Sequence, residues 1–253
     1  MELNLRGKNA IVTGGSRGLG SAICAQLARE GMHLIFTYAS SKDKAESLAK
    51  ELSAKFGIRA EAFRADVSVE ADVVSLFAFA AERFGSEDVL VNNAGVCPVA
   101  KIVDTTLETW NQVMAVNMGG VFLCCREMMR LAIAKGTAAT IVNIASATAY
   151  LGSKNGKTHY AASKGGVISF TTSLAKEAAE YGIRVNALAP SIMYTDMTAE
   201  LLERDLAHYE RQIPIGRIAT LEEAASAVAF LAGDASSYMT GAVLDLSGAQ
   251  CGR

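Results

Sequence analysis

Asn9-Ala-Ile-Val-Thr13-Gly14-Gly-Ser-Arg17-Gly18-Leu-Gly20 is a short β-branched run that turns, without a linker, into a glycine-rich corner. A stretch with helical spacing, Ser21 to Glu30, follows at once. Strand, glycine turn and helix in that order open a βαβ unit. Gly14, Gly18 and Gly20 can take backbone angles closed to other residues and leave room for a diphosphate against the main chain. The helix behind them offers free N–H groups and the positive end of its dipole to such an anion. Spacing alone also allows a plain tight turn that needs glycine for packing.

The same alternation runs to the end of the chain. Short apolar runs fall at Asn9–Thr13, His33–Tyr38, Ala60–Arg64, Val89–Asn92, Thr140–Ile144, Arg184–Ala189 and Ala242–Leu246. Longer segments of helical periodicity separate them. Gly31, Gly57, Gly85, Gly136, Gly182 and Gly233 stand where left-handed helix caps are expected. Thr220-Leu-Glu-Glu223 has the spacing of a capping box, so a helix starts there. The pattern predicts an α/β fold: a doubly wound parallel sheet of about seven strands with helices on both faces. No composition break divides the 253 residues, so 1–253 is expected to be one dinucleotide-binding catalytic domain. The least regular part, 191–216, follows a strand and is expected to be a substrate-binding lid.

Composition narrows the function. A net charge of −2 argues against a nucleic-acid scaffold, and 51% hydrophobic residues exclude a disordered chain. No apolar run reaches the roughly 18 residues of a membrane span. The start, Met1 to Arg6, shows no secretory signal, and the odd count of 5 Cys without paired spacing reads as reduced thiols. The expectation is a cytoplasmic protein with no membrane or nucleic-acid partner and no protein-bound metal.

The second strand bears on the nucleotide. An acid at its end would bind a ribose 2′-hydroxyl and repel a 2′-phosphate. Here Phe36-Thr-Tyr-Ala-Ser-Ser-Lys42 carries none before Asp43, while Arg17, Ser40, Ser41 and Lys42 offer a cation and hydroxyls. That set favours NADP(H) over NAD(H). Further on, Tyr160-Ala-Ala-Ser-Lys164 puts a phenol and an ammonium on one helix face. A nearby cation is expected to lower the phenol pKa by about 1–3 units. Ser146, at the end of the run Thr140–Ile144, can supply a second hydrogen bond to a substrate oxygen. His159 precedes Tyr160, but helical neighbours diverge by about 100°, so the two cannot face one oxygen. The Gly165-Gly166 pair is read as a place of close helix packing.

With these residues the chain resembles the short-chain dehydrogenase/reductase family over nearly its whole length, in texture that of 3-oxoacyl-(acyl-carrier-protein) reductases. The likeness implies a Rossmann-type fold. It implies cofactor contacts at Gly14, Ser16, Arg17, Gly18, Leu19, Gly20, Tyr38, Ala39, Ser40, Asp66, Val67, Asn93, Ala94, Gly95, Tyr160, Lys164, Pro190, Met193 and Thr195. It implies catalysis by Ser146, Tyr160 and Lys164, with Asn117 holding a water in a proton relay. The reaction so implied is NADPH-dependent reduction of a ketone or 3-oxoacyl carbonyl, with Tyr160 as general acid. An NAD(P)+-linked sugar, polyol or secondary alcohol dehydrogenase, and a catalytically silent dinucleotide-binding regulator, are the alternatives. Relatives are commonly homotetramers. Three departures stand out: Ser191 replaces the glycine usual after Pro190, Ser146 and Tyr160 lie 14 positions apart, one more than is common, and 134–139 and 176–181, where basic residues would dock an acidic carrier, are poor in Arg.

Overall fold

The computed structural model describes residues 2–252. Met1 and Arg253, the ends of the expected 1–253 unit, lie outside the described residues.

Seven strands form one parallel sheet in the order β3-β2-β1-β4-β5-β6-β7. They are β1 (Asn9–Val12), β2 (His33–Tyr38), β3 (Ala60–Arg64), β4 (Val89–Asn92), β5 (Ala139–Ile144), β6 (Ile183–Pro190) and β7 (Val243–Leu246). The alternation read from the sequence is correct, and the ends shift by a residue at β1, β5, β6 and β7. Successive side chains of a strand face opposite ways. Ala10, Val12, Leu34 and Phe36 therefore bury against α1 (Gly18–Arg29), α2 (Lys42–Phe56) and α9 (Leu221–Ala232). Ile11, Ile35, Leu90 and Ile141 face α3 (Glu70–Phe84), α5 (Gly120–Lys135) and α7 (Thr158–Ala178). Burial on both faces is why these strands read as continuous apolar runs.

Between β4 and α5 lie α4 (Leu107–Met114) and a π-helical turn, Ala115–Gly119. A short α6 (Thr148–Leu151) precedes α7, and α8 (Ala199–Glu210) occupies the irregular segment, with a break at Asp205. The capping box forms as expected: Glu223 N–H donates to Thr220 Oγ1, and Thr220 N–H donates to Glu223. Gly233 departs from expectation. Its φ is −88°, so it is no left-handed cap; a Cβ there would lie 2.8 Å from the Leu3 carbonyl oxygen, and glycine is needed for that close approach. Of the Gly165-Gly166 pair, only Gly166 packs closely, its added Cβ meeting Met118 Sδ at 2.8 Å. Among the described residues, no helix is long and apolar enough to cross a membrane.

Candidate active site

The strand order reverses at β1, whose neighbours are β2 and β4. Such a switch point leaves a crevice beyond the strand ends. The glycine corner lies there, stitched in place by groups far away in sequence. Thr13 Oγ1 accepts the N–H groups of Asn93 and Ala94 at 3.0 Å each. Asn93 Nδ2 returns bonds to the Thr13 and Gly14 carbonyls at 3.0 and 3.1 Å, and Thr37 Oγ1 accepts Gly14 N–H at 2.9 Å. At Gly20 an added Cβ would lie 2.1 Å from the Gly14 carbonyl oxygen, so only glycine lets the first turn of α1 close against the corner. A cradle this open at its main chain and backed by a helix N-terminus fits a dinucleotide diphosphate.

Other expected cofactor residues sort by exposure. Ser16, Arg17, Ala39, Ser40 and Asp66 are at least partly exposed around the crevice. Leu19, Tyr38, Val67, Pro190 and Met193 are buried, so Tyr38 and Met193 have only main chain to offer a ligand. Asp66 Oδ1 already accepts from Ser68 N–H and Oγ–H, at 2.9 and 2.6 Å. Arg17 is bound loosely, its Nη1 3.4 Å from Asp196 Oδ2, and Lys42 pairs with Glu46 at 3.7 Å. Exposed pairs of this kind are weak and exchange readily for a phosphate. The Asp196 contact also brings the segment after β6 across the glycine turn, and Thr195 passes 3.6 Å from the Cβ position of Gly18. Thr195 N–H donates to Thr198 Oγ1, which in turn bonds the Met193 carbonyl at 2.5 Å.

Across the crevice, Ser146 stands close enough to Tyr160 for its hydroxyl to favour the phenolate. Lys164 lies one turn further along α7, its Nζ 5.8 Å from the Tyr160 ring centre and donating to the Ile144 carbonyl at 2.6 Å. Asn117 is wholly buried in the π-helical turn, a feature often found at functional sites. Its Oδ1 accepts Val96 N–H at 2.9 Å while Nδ2 donates to the Val96 carbonyl and to Ser163 Oγ, both at 3.0 Å. Ser163 Oγ–H in turn donates to the Tyr160 carbonyl at 2.7 Å. The Asn117 amide thus clamps the segment after β4 to the helix that carries Tyr160. The Cβ position of Gly95 lies 3.3 Å from Asn117 Oδ1 and 3.7 Å from Lys164 Nζ, so a side chain there would crowd both.

The electrostatics reverse one expectation. Tyr160 is partly exposed, yet the packing around it pushes its pKa up to about 12. The nearby Cys97 thiol adds to the rise, and the neighbouring Ser146 hydroxyl opposes it. Burial also pulls Lys164 down to about 8, with Cys97 opposing. A cation that is itself desolvated, and turned to a carbonyl, does not acidify the phenol in the free chain. Thr13, Thr37, Cys97, Ser163 and Thr198 were not singled out from the sequence. Nothing local marks them, because their partners are set by strand register and helix docking.

A family model described as enoyl-(acyl carrier protein) reductase matches residues 14–248. The chain is 38% identical to the 3-oxoacyl-(acyl-carrier-protein) reductase of Aquifex aeolicus, over 98% of this chain and 99% of that protein. It is 37% identical to the enzyme of the same name from Salmonella typhimurium, over 97% and 98%. The crystal structure of a short-chain type dehydrogenase/reductase from Mycobacterium marinum superposes with a TM-score of 0.93 at 31% identity, covering 98% and 97% of the two chains. The chain belongs to the short-chain dehydrogenase/reductase family of oxidoreductases. Within it, the Aquifex aeolicus and Salmonella typhimurium relatives are both 3-oxoacyl-(acyl-carrier-protein) reductases.

Proposed function

We propose that the protein reduces a ketone or 3-oxoacyl carbonyl to an alcohol with NADPH. The observation that carries this reading is Ser146 beside Tyr160 with the buried Lys164 one turn further along the helix, its Nζ 5.8 Å from the Tyr160 ring centre. Bound NADPH would supply the hydride. The Gly14–Gly20 corner would hold its diphosphate, Arg17 and Ser40 its 2′-phosphate, Asp66 and Val67 its adenine, and Asn93 to Gly95, Pro190, Met193 and Thr195 its nicotinamide half. Ser146 donates to the substrate carbonyl oxygen and steadies the charge developing there. Tyr160 then gives that oxygen its proton. A phenol held near 12 keeps its proton at neutral pH, which suits a general acid and the reductive direction. Lys164 would contact the nicotinamide ribose, and Asn117 holds the helix carrying Tyr160 in register.

The segment 191–216 is, in the same reading, a lid that crosses the glycine turn where Asp196 approaches Arg17. The single domain, the cytoplasmic setting and a homotetramer belong to the proposal as well. Phe122 and Ile133, exposed on α5, are the residues we place in a subunit contact. The exposed basic residues of α5 do not make a free docking face for an acidic carrier. Arg126 pairs with Glu70 and Glu127, and Arg130 with Glu127.

Nicotinamide absorbance with acetoacetyl-CoA and crotonyl-CoA tests the reading and separates it from an enoyl reductase. Turnover of the first alone is expected, faster with NADPH than with NADH. Tyr160→Phe should lose about 100-fold or more in kcat and leave NADPH affinity within twofold. Full activity in that variant would end the proposal.

A further inference from the structure

After β7 the chain folds back on itself instead of leaving the sheet. Residues 247–251 make a tight turn, in which Gln250 N–H donates to the Ser247 carbonyl at 3.2 Å and Cys251 N–H donates to Ser247 Oγ at 3.0 Å. Gly248 and Ala249 both take left-handed backbone angles, with φ of 61° and 69°. Glycine does so freely. Alanine does so under strain, which persists only where surrounding contacts over-determine the conformation.

Those contacts run to both ends of the segment 191–216. At its start, Ser191 N–H donates to the Leu246 carbonyl at 3.0 Å, and Ser191 Oγ–H donates to Gln250 Oε1 at 2.8 Å. At its end, Ile215 N–H donates to the Gly248 carbonyl at 3.3 Å, and a Cβ on Gly248 would lie 2.7 Å from methyl carbons of both Ile213 and Ile215. The turn also reaches the loop after β5, where the Cys251 thiol lies 4.0 Å from the carbonyl of Ala147, the neighbour of Ser146. One short turn thus touches both roots of the segment and the loop that carries Ser146. Ser191 and Gln250 are both half-buried, so their bond is partly shielded from water. A glycine at 191 could not make it and would loosen the backbone at that root.

We infer that the turn 247–251 is a clip on the 191–216 lid, and that Gln250 is a positioning residue which, through Ser191, restrains the lid from opening. A segment swings about its roots, so a bond fastened at a root restrains the whole span. The inference rests on the lid reading above and names the device that governs its opening.

The full-length protein without nucleotide should be digested briefly with trypsin and the cuts located by mass spectrometry. Arg204 and Arg211 are exposed within the lid and report its opening. Ser191→Ala and Gln250→Met should each speed cleavage there about threefold to tenfold, the equivalent of one neutral hydrogen bond, with cuts outside 191–216 unchanged. The double variant should match the single ones, because each removes the same bond. Gln250→Glu keeps an acceptor oxygen and should stay close to wild type. A change below threefold in Ser191→Ala and Gln250→Met, equal acceleration outside the lid, or multiplied effects in the double variant would overturn the assignment. Digestion needs no nucleotide, so the clip is decided even if NADPH does not bind. Release of bound NADPH, followed by stopped-flow fluorescence, tests the lid reading separately. Faster release in the same variants ties the clip to the nucleotide, whereas faster cleavage with unaltered release sustains the clip and refutes the lid as a cover for the nucleotide.

Discussion

Lys164 gives the most direct test of how burial sets the charges at this site. It is 4% exposed, and its pKa is drawn from the ordinary 10.5 to about 8. Below pH 8 it is charged in both folded and unfolded chains, and the folded chain carries the full desolvation penalty. Above pH 10.5 it is neutral in both, and the penalty is gone. Between the two the unfolded chain binds more protons, so stability rises with pH. For the pKa pair of 10.5 and about 8 the rise between pH 7 and pH 10 amounts to about 2–3 kcal/mol. In Lys164→Met this contribution disappears, while loss of the bond to the Ile144 carbonyl weakens the variant equally at every pH. The double difference therefore isolates the titration. Urea unfolding of both proteins at pH 7, 8, 9 and 10, without nucleotide, measures it. Wild type should gain on the variant as pH rises, with unchanged denaturant slopes. Parallel curves would mean that Lys164 is solvated or already paired, and would remove the account of its electrostatics.

Three further outcomes follow from the same geometry. Arg17→Ala should raise KM for NADPH about 10-fold or more and leave NADH within twofold, in steady-state assays with both nucleotides; equal effects would exclude Arg17 from the 2′-phosphate. Thr37→Val keeps the side-chain shape but removes the acceptor of Gly14 N–H, and should lower stability by about 1–3 kcal/mol in urea while weakening NADPH binding; an unaltered nucleotide affinity would mean that the corner holds its shape without that bond. Arg184→Met should destabilise by about 3 kcal/mol or more, because the guanidinium donates to the Leu231, Gly233, Ser236 and Met239 carbonyls and to Thr140 Oγ1. A loss below about 1 kcal/mol would show those carbonyls finding water instead.

The parts of this molecule that were legible in its sequence are those fixed by neighbours in the chain. A β-branched run bounded by turns predicts a strand wherever both faces are buried, as at Val89–Asn92, and Thr220 with Glu223 predicts a cap that closes within three residues. Tyr160 and Lys164 are readable as a pair because helical spacing is local. Gly233 was misjudged because a glycine before a helix stop serves equally for a left-handed turn or for contact with a distant main chain, and the Leu3 contact is invisible in the sequence. The same limit hid Thr13 and Thr37, whose hydroxyls meet partners 80 and 23 residues away through strand register. It also misled the reading of the phenol. Four residues of separation announce a cation, but whether that cation acidifies the phenol depends on the water left around each group, which only the packed fold determines.

The site is built by assigning different work to neutral and charged groups. The cradle is held by neutral side chains bonded to main chain: Thr13, Thr37, Asn93, Asn117, Ser163 and Thr198 each spend their capacity on backbone or on one another. Such bonds hold position without placing charge where a ligand must enter. The charges are left loosely committed. Arg17 touches Asp196 only at 3.4 Å, and the buried Lys164 donates to a carbonyl rather than to an acid. Neither cation is held closely by a carboxylate, and in the proposed reading each would meet a different part of the cofactor, the 2′-phosphate for Arg17 and the nicotinamide ribose for Lys164. A protein that folded only for stability would be expected to pair or expose them. Retaining them beside a rigid neutral frame lowers the stability of the free chain and reserves their interaction energy for the bound state, which is the arrangement that differential binding requires.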